Sequence, residues 1–175
     1  SINKYYNELK SLGIKVSKDT LYTLFSYMQD IYLILPLKKY ENSPLKQERG
    51  LKKVYVNDTG IASSYNLELS RNIGRLLENV VFLELARKDL SIHYFKNWYE
   101  CDFLVEKGNQ IISAMQVCYE LNDSNRTREV RGLISALNHF GLKEGYVLTY
   151  NQVEEINSDE KRLRVLPVHN WLLRS

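Results

Sequence analysis

The chain has 175 residues, 44% of them hydrophobic and 26% charged, with a formal net charge of +3. That is ordinary globular composition, enough for one domain or two small ones, and too weakly basic to imply nucleic acid by itself. Only two cysteines are present, Cys101 and Cys118. With no ligand spacing between them, they point to a reducing, cytoplasmic setting and away from a zinc site. No apolar run reaches the roughly 18 residues a membrane helix requires, so no membrane partner is expected. The first residue is Ser1, not Met, and the start does not read as a signal peptide; the chain is therefore read as a piece of a longer protein.

Residues 1–57 are predicted to form a first unit. Ile2 to Leu12 reads as a short helix ended by Gly13, and Ser17 as the N-cap of a second helix, Lys18 to Gln29, with Leu21, Leu24, Phe25 and Met28 at helical spacing. Ile31 to Leu35 and Leu51 to Val56 read as two strands, joined by a polar loop from Tyr40 to Gly50. Helix, turn, helix and a two-stranded wing make a winged-helix pattern. If it binds DNA, the second helix presents Lys18, Asp19, Thr20, Thr23 and Gln29, and Lys38, Lys39, Lys46, Arg49, Lys52 and Lys53 meet phosphates. The same pattern also serves as a plain packing module with a solvated basic loop, and the residues leave both roles open.

Residues 58–72 read as a linker, opened by the turn Asn57-Asp58-Thr59-Gly60, and 73–175 as a second unit. Ile73 to Lys88 is apolar nearly all round, with Leu76, Leu77, Val80, Val81, Leu83, Leu85 and Ala86, and so predicts a buried helix. Glu78 sits inside that run, where a carboxylate is costly unless paired or used; Arg75 and Asn79 are its nearest candidates as partners. Ser91 to Phe95 reads as a strand.

Trp98 to Tyr119 reads as a hairpin around Gly108-Asn109. A two-residue loop sets Cys101 opposite Gln116. A three-residue loop, Gly108-Asn109-Gln110, sets Asp102 opposite Gln116 and Glu100 opposite Cys118. A slip of one residue exchanges the faces, so the register decides the chemistry. The three-residue loop is preferred, because it gathers Cys101, Phe103, Val105, Met115 and Val117 into an apolar face and leaves Glu100, Asp102, Gln116 and Cys118 on the other. In that register the cysteines point to opposite faces and cannot pair.

Thr127 is the expected N-cap of a helix reaching Phe140, with Glu129 favoured by the helix dipole in its first turn; it buries Val130, Leu133, Ile134 and Leu137 and ends at Gly141. Gly145 to Tyr150 is nearly continuous in β-formers and predicts a central or parallel strand. A polar connection from Gln152 to Lys161, a strand from Arg162 to Val168 and the cap Trp171-Leu172-Leu173 complete the chain.

Several short motifs follow one another in a telling order: Val56-Asn57-Asp58-Thr59-Gly60-Ile61, Gly74-Arg75-Leu76-Leu77-Glu78-Asn79, Glu100-Cys101-Asp102-Phe103, Gln116-Val117-Cys118-Tyr119, Thr127-Arg128-Glu129, and Leu166-Pro167-Val168 before Trp171-Leu172-Leu173. Together they resemble the C-terminal part of a family of prokaryotic AAA-type predicted ATPases, in which a winged helix is followed by a domain of the restriction-endonuclease-like (PD-(D/E)xK) fold. The resemblance implies an α/β chain: a winged-helix unit, then a mixed sheet flanked by helices. It implies Glu78 as the helix acid and Asp102 as the strand acid, the pair that would hold Mg or Mn over a phosphodiester.

Gln116 and Cys118 stand where that family carries the Glu and Lys of its Glu-x-Lys motif. Gln is a neutral ligand and Cys supplies no cation, so the resemblance implies a degenerate nuclease-like DNA-binding or regulatory domain. The change is shared with family relatives carrying Gln-Val-Thr/Cys-Tyr before Arg-Glu. Arg126 or Arg128 is the expected substitute cation, and Glu100 and Glu120 are further acids. The alternatives are an active metal-dependent endonuclease with a migrated basic residue, and a protein-interaction module. No Gly-x-x-x-x-Gly-Lys-Ser/Thr occurs, so ATP is expected only in an attached upstream ATPase, the implied partner beside DNA; an oligomer is left open.

Overall fold

A computed structural model describes residues 2–60, 69–88, 90–158 and 160–174. Residues 61–68, the middle of the expected linker, lie outside the described residues. The architecture is mixed α/β, with a two-stranded sheet and a six-stranded sheet.

The first helices are α1 (Ile2–Ser11) and α2 (Lys18–Asp30). Ser17 caps α2 as expected, its side chain accepting a hydrogen bond from the Thr20 N–H, while Gly13 takes a positive φ of 75° after α1. Neither helix is deeply packed: α1 buries no residue and α2 only Leu21, so Tyr22, Leu24, Tyr27 and Met28 stay exposed.

The strands that follow are β1 (Ile34–Lys38) and β2 (Lys52–Val56), antiparallel, with Ile34 opposite Val56 and Lys38 opposite Lys52. β1 begins three residues later than the apolar run suggested, because Tyr32 adopts a positive φ of 56° and ends the turn out of α2. The expected polar loop contains a short helix, α3 (Pro44–Arg49), opened by Pro44 in its first turn, where the missing N–H costs nothing.

Helix α4 (Leu69–Ala86) starts at Leu69 rather than Ile73. It lies against one face of the large sheet, whose order is β3 (Ser91–Lys96), β4 (Glu100–Lys107), β5 (Gln110–Val117), β6 (Glu144–Thr149), β8 (Lys161–Pro167), β7 (Glu154–Ser158). Helix α5 (Arg126–Phe140) covers the other face, and α6 (Val168–Leu172) closes the chain. The pairs β5–β6 and β6–β8 are parallel and the rest antiparallel. β6 is thus central and parallel, as its unbroken β-formers predict; Val147 and Leu148 are fully buried. The polar segment after Gln152 was expected to be a connection but forms β7. Its Glu154 and Glu155 face solvent on the sheet edge, where charged side chains discourage further pairing. The N-cap of α5 is Asn125, not Thr127, and Gly141 ends that helix in the left-handed region as expected.

Two apolar clusters sandwich the sheet. Val81, Phe82 and Leu85 of α4 meet Phe103, Val105, Met115 and Val117, and Leu37 and Tyr55 of the small sheet join the same cluster. Leu133, Ala136 and Leu137 of α5 meet Leu104, Ala114, Val147 and Leu163 on the opposite face. The small sheet is therefore built into the large one's packing. The Tyr55 ring stacks on Phe82 at 4.1 Å, and Asn79 in α4 brackets Val56, accepting its N–H at 2.9 Å and donating to its carbonyl at 2.8 Å. Such a stack is worth about 1 kcal/mol beyond area burial. Among the described residues, no helix is long and apolar enough to cross a membrane.

Candidate functional site

Two bulges set the geometry of the central hairpin. Gly108 and Asn109, with φ of 59° and 62°, form a two-residue turn between paired Lys107 and Gln110, not the three-residue loop expected. The register then slips by one residue, since Val105 faces Ser113 while Glu106 faces Ile111, leaving Ile112 as an extra residue. That slip restores the alignment of Phe103 with Met115, the same alignment that brings Asp102 level with Gln116. The expected pairing is reached by a different route.

A second slip lies between β3 and β4. His93 faces Leu104 and Phe95 faces Cys101, so Asp102 and Phe103 together oppose Tyr94. Bulges of this kind re-aim side chains next to functional sites. Here the bulge breaks the simple alternation. Cys101 was expected to share the Phe103 face, but it joins Cys118 in the α5-side cluster, while Asp102 turns toward β2 and α4. The two cysteines therefore sit in one cluster rather than on opposite faces, and both are free thiols. Burial raises the pKa of both, Cys118 to about 12, so neither supplies a thiolate.

The centre of the resulting polar cluster is Lys53 of β2. Its Nζ lies 2.7 Å from Asp102 Oδ1, 3.0 Å from Glu100 Oε1 and 3.2 Å from Glu78 Oε1. Lys53 was expected on a DNA-facing wing; instead it turns inward and supplies the cation that neither Cys118 nor Arg128 provides. Glu78 also accepts the Tyr55 hydroxyl at 2.6 Å, so its partners are Lys53 and Tyr55, not Arg75 or Asn79. The Asp102 carboxylate accepts the Val117 N–H at 3.0 Å through Oδ2.

Gln116 bridges the cluster to α5. Its carbonyl oxygen accepts the Asp102 N–H at 3.3 Å, and its amide nitrogen donates to Glu129 Oε2 at 2.5 Å. Glu129, only 4% exposed, is held in turn by the Arg128 guanidinium at the solvent rim. Gly132, one turn on, lets α5 approach so closely that a Cβ there would overlap the Glu100 carbonyl oxygen.

The electrostatics follow from burial and charge. Burial opposes the Lys53 charge, but Asp102, Glu78 and Glu100 outweigh it and raise the pKa, keeping the ammonium charged. Burial pushes the Asp102 carboxyl up to about 7, against the pull of Lys53 and with Glu78 adding repulsion. Glu100 is less buried, and Lys53 and Lys96 overcome its desolvation to lower its pKa. Burial, then the charge of Glu78, raises the Tyr55 hydroxyl, so Tyr55 acts only as a neutral donor.

The cluster opens into a cleft of about 930 Å³, lined also by Arg75, Lys96, Trp98 and Tyr99. Glu78, Asp102, Gln116, Arg128 and Lys53 all line it, whereas Cys118 does not. Arg126 pairs with Glu154 on β7 and plays no part in the cluster. Of the other residues expected to meet DNA, Lys52 pairs with Glu48, Lys46 and Arg49 are exposed on α3, and Lys18 at the start of α2 lies 5.3 Å over the Tyr6 ring, all away from the cleft. Among the described residues, no group of three His, Cys, Asp or Glu side chains is disposed to hold a metal ion. Glu78, Glu100 and Asp102 converge on an ammonium instead of an open point, so while Lys53 stays there the residues do not fit Mg or Mn.

Two members of the cluster carried a readable signal. Lys53 is two residues from the buried Tyr55, so strand alternation places them on one face. Glu129 lies three, four and seven positions before Gly132, Leu133 and Ala136, on the buried stripe of α5. A charge on a buried face asks for a partner.

No protein-family model matches this chain, and no solved structure matches it. Among curated proteins it is similar to the uncharacterized protein MJ1544 of Methanocaldococcus jannaschii, 35% identical over 187 residues, covering 99% of this chain and 40% of that protein. It is also similar to an uncharacterized protein of Haemophilus influenzae, 25% identical over 176 residues, covering 98% of this chain and 41% of that one. The chain thus spans about two fifths of the length of the curated relatives it matches.

Proposed function

We propose that this chain is the nuclease-like part of a longer AAA-type ATPase, and that its acid cluster is a degenerate form of a phosphodiester-cleaving site. In this reading a winged-helix unit precedes a restriction-endonuclease-like sheet, and the domain binds DNA or regulates the attached ATPase without cutting. The observation that carries the reading is the position of Lys53, whose ammonium takes the place between Glu78 and Asp102 where a cutting enzyme would hold its divalent ion. Gln116 adds to it. Its amide is used up bridging the Asp102 N–H to Glu129, a structural duty rather than a ligand's.

The test is incubation of the chain with single-stranded, duplex and branched DNA in the presence of Mn²⁺. DNA is retained and stays intact. Cleavage that disappears in Asp102→Asn would overturn the proposal in favour of an active metal-dependent endonuclease, with Lys53 as its migrated base.

A further inference from the structure

The turn between β3 and β4 separates two depressions. On one side lies the acid cleft. On the other lies a groove of about 810 Å³, lined by Trp98, Tyr99 and residues of α5 and β7. Trp98 stands at the crest with 91% of its surface exposed. The turn that carries it is closed by the Asn97 N–H bonded to the Tyr99 carbonyl at 3.1 Å, so the indole is held out on a hairpin and not on a loose loop. An indole held in water by a closed turn is an unused stacking surface.

The charge around the groove differs from that of the cleft. No carboxylate lines it. Arg131 on α5 donates to the Tyr99 hydroxyl at 3.1 Å, with its guanidinium carbon 5.8 Å from the centre of that ring. A guanidinium carries five N–H donors, and one such bond leaves others for an anion. Thr127, Ser135, Asn157 and Ser158 add neutral polar groups, while Arg126 is already paired with Glu154. A flat aromatic face, a planar cation fixed beside a second aromatic, and a lining free of acids match the chemistry of an unpaired nucleic-acid strand. Its bases stack and its phosphates need cations.

We propose that the Trp98–Arg131 groove holds single-stranded nucleic acid, with a base stacked on Trp98 and a phosphate on Arg131. The proposal rests on the nucleic-acid reading above and gives that reading a substrate class and a surface.

Trp171 is 8% exposed, so of the two tryptophans Trp98 is the one open to quenching. A 15-nucleotide oligothymidylate titrated into the chain is expected to quench tryptophan emission, with affinity falling as salt rises. In Trp98→Phe the quenching should disappear. By anisotropy of a labelled oligothymidylate, Trp98→Ala and Arg131→Ala should each weaken binding by about 5- to 100-fold. Both side chains are exposed, and circular dichroism checks that both variants fold. Oligothymidylate binding unchanged in both variants, equally tight binding of an acidic peptide, or no binding at all would overturn the proposal. Duplex binding that ignores Trp98 removes this groove and leaves the proposed function standing; Mn²⁺-dependent cleavage removes the inert-site reading and leaves the groove.

Discussion

Lys53 and Asp102 lie 49 positions apart in the chain, yet Lys53 Nζ donates to Asp102 Oδ1 at 2.7 Å. The contact ties the small sheet to β4, the first strand of the central hairpin. It also gives three carboxylates a common counter-ion at the floor of the cleft.

Lys53→Met removes that counter-ion and keeps the apolar stem. Glu78, Glu100 and Asp102 are then left facing one another. Breaking a buried pair at one partner typically costs about 3 kcal/mol or more. The variant should lose about 3 kcal/mol of stability at pH 7, measured by urea denaturation. The deficit should shrink at pH 5, where the abandoned carboxyls take up protons. An equal deficit at both pH values would show that Lys53 contributes only packing.

Asp102→Asn reports the titration of the buried carboxyl. The folded-state pKa of Asp102, about 7, lies above the roughly 3.9 of an unfolded Asp, so the folded form binds the proton more tightly. That contribution to stability is fully present below the unfolded value and is lost as pH rises through about 7. Wild type should therefore lose stability relative to Asp102→Asn between pH 4.5 and 7.5, seen as converging or crossing urea midpoints. Glu100, with its lowered pKa, acts with the opposite sign, its stabilising share being lost as pH falls.

Gln116→Glu restores the acid that the resembled nucleases carry. It replaces a donor 2.5 Å from buried Glu129 with a second carboxylate. Like charges at that distance do not both ionise. The variant should be destabilised by about 2 kcal/mol at pH 7, where the proton the two acids must share is costly to take up, and recover most of this at pH 5, where it costs little. Thermal melts at the two pH values check it.

Gly132→Ala tests the close approach of α5 to β4. The added methyl would overlap the Glu100 carbonyl, a backbone atom that cannot rotate aside. The helix must shift outward, at about 2 kcal/mol or more. Amides of β4 near Glu100 should exchange faster with solvent than in wild type, while those of β6 and β8 keep their protection.

Much of the architecture was legible because it is local. Helical spacing marked α2, α4 and α5; Ser17 and Gly141 marked two of their ends; and a run of β-formers placed β6 at the centre of the sheet. Where local signals misled, a tertiary requirement explains the difference. The Gly108-Asn109 turn is shorter than expected because the bulge at Ile112 absorbs the odd residue. β7 was missed because an edge strand needs no apolar alternation; its pairing with β8 supplies the hydrogen bonds. Cys101 changed faces because the bulge at Asp102 and Phe103 reverses the alternation there.

By itself the sequence determined most of the element types and the buried faces of α4 and α5, since each depends on spacing along one stretch of chain; the alignment of Asp102 with Gln116 was expected but is reached through the bulge at Ile112, which no local spacing marked. Only the tertiary structure decided which cation meets the acids. Lys53 and Glu129 reach the cluster from a separate sheet and a separate helix, and no local periodicity records how those elements are packed together. In the structure both residues stand on buried faces; burial demands a partner for each charge, and the fold chose which one.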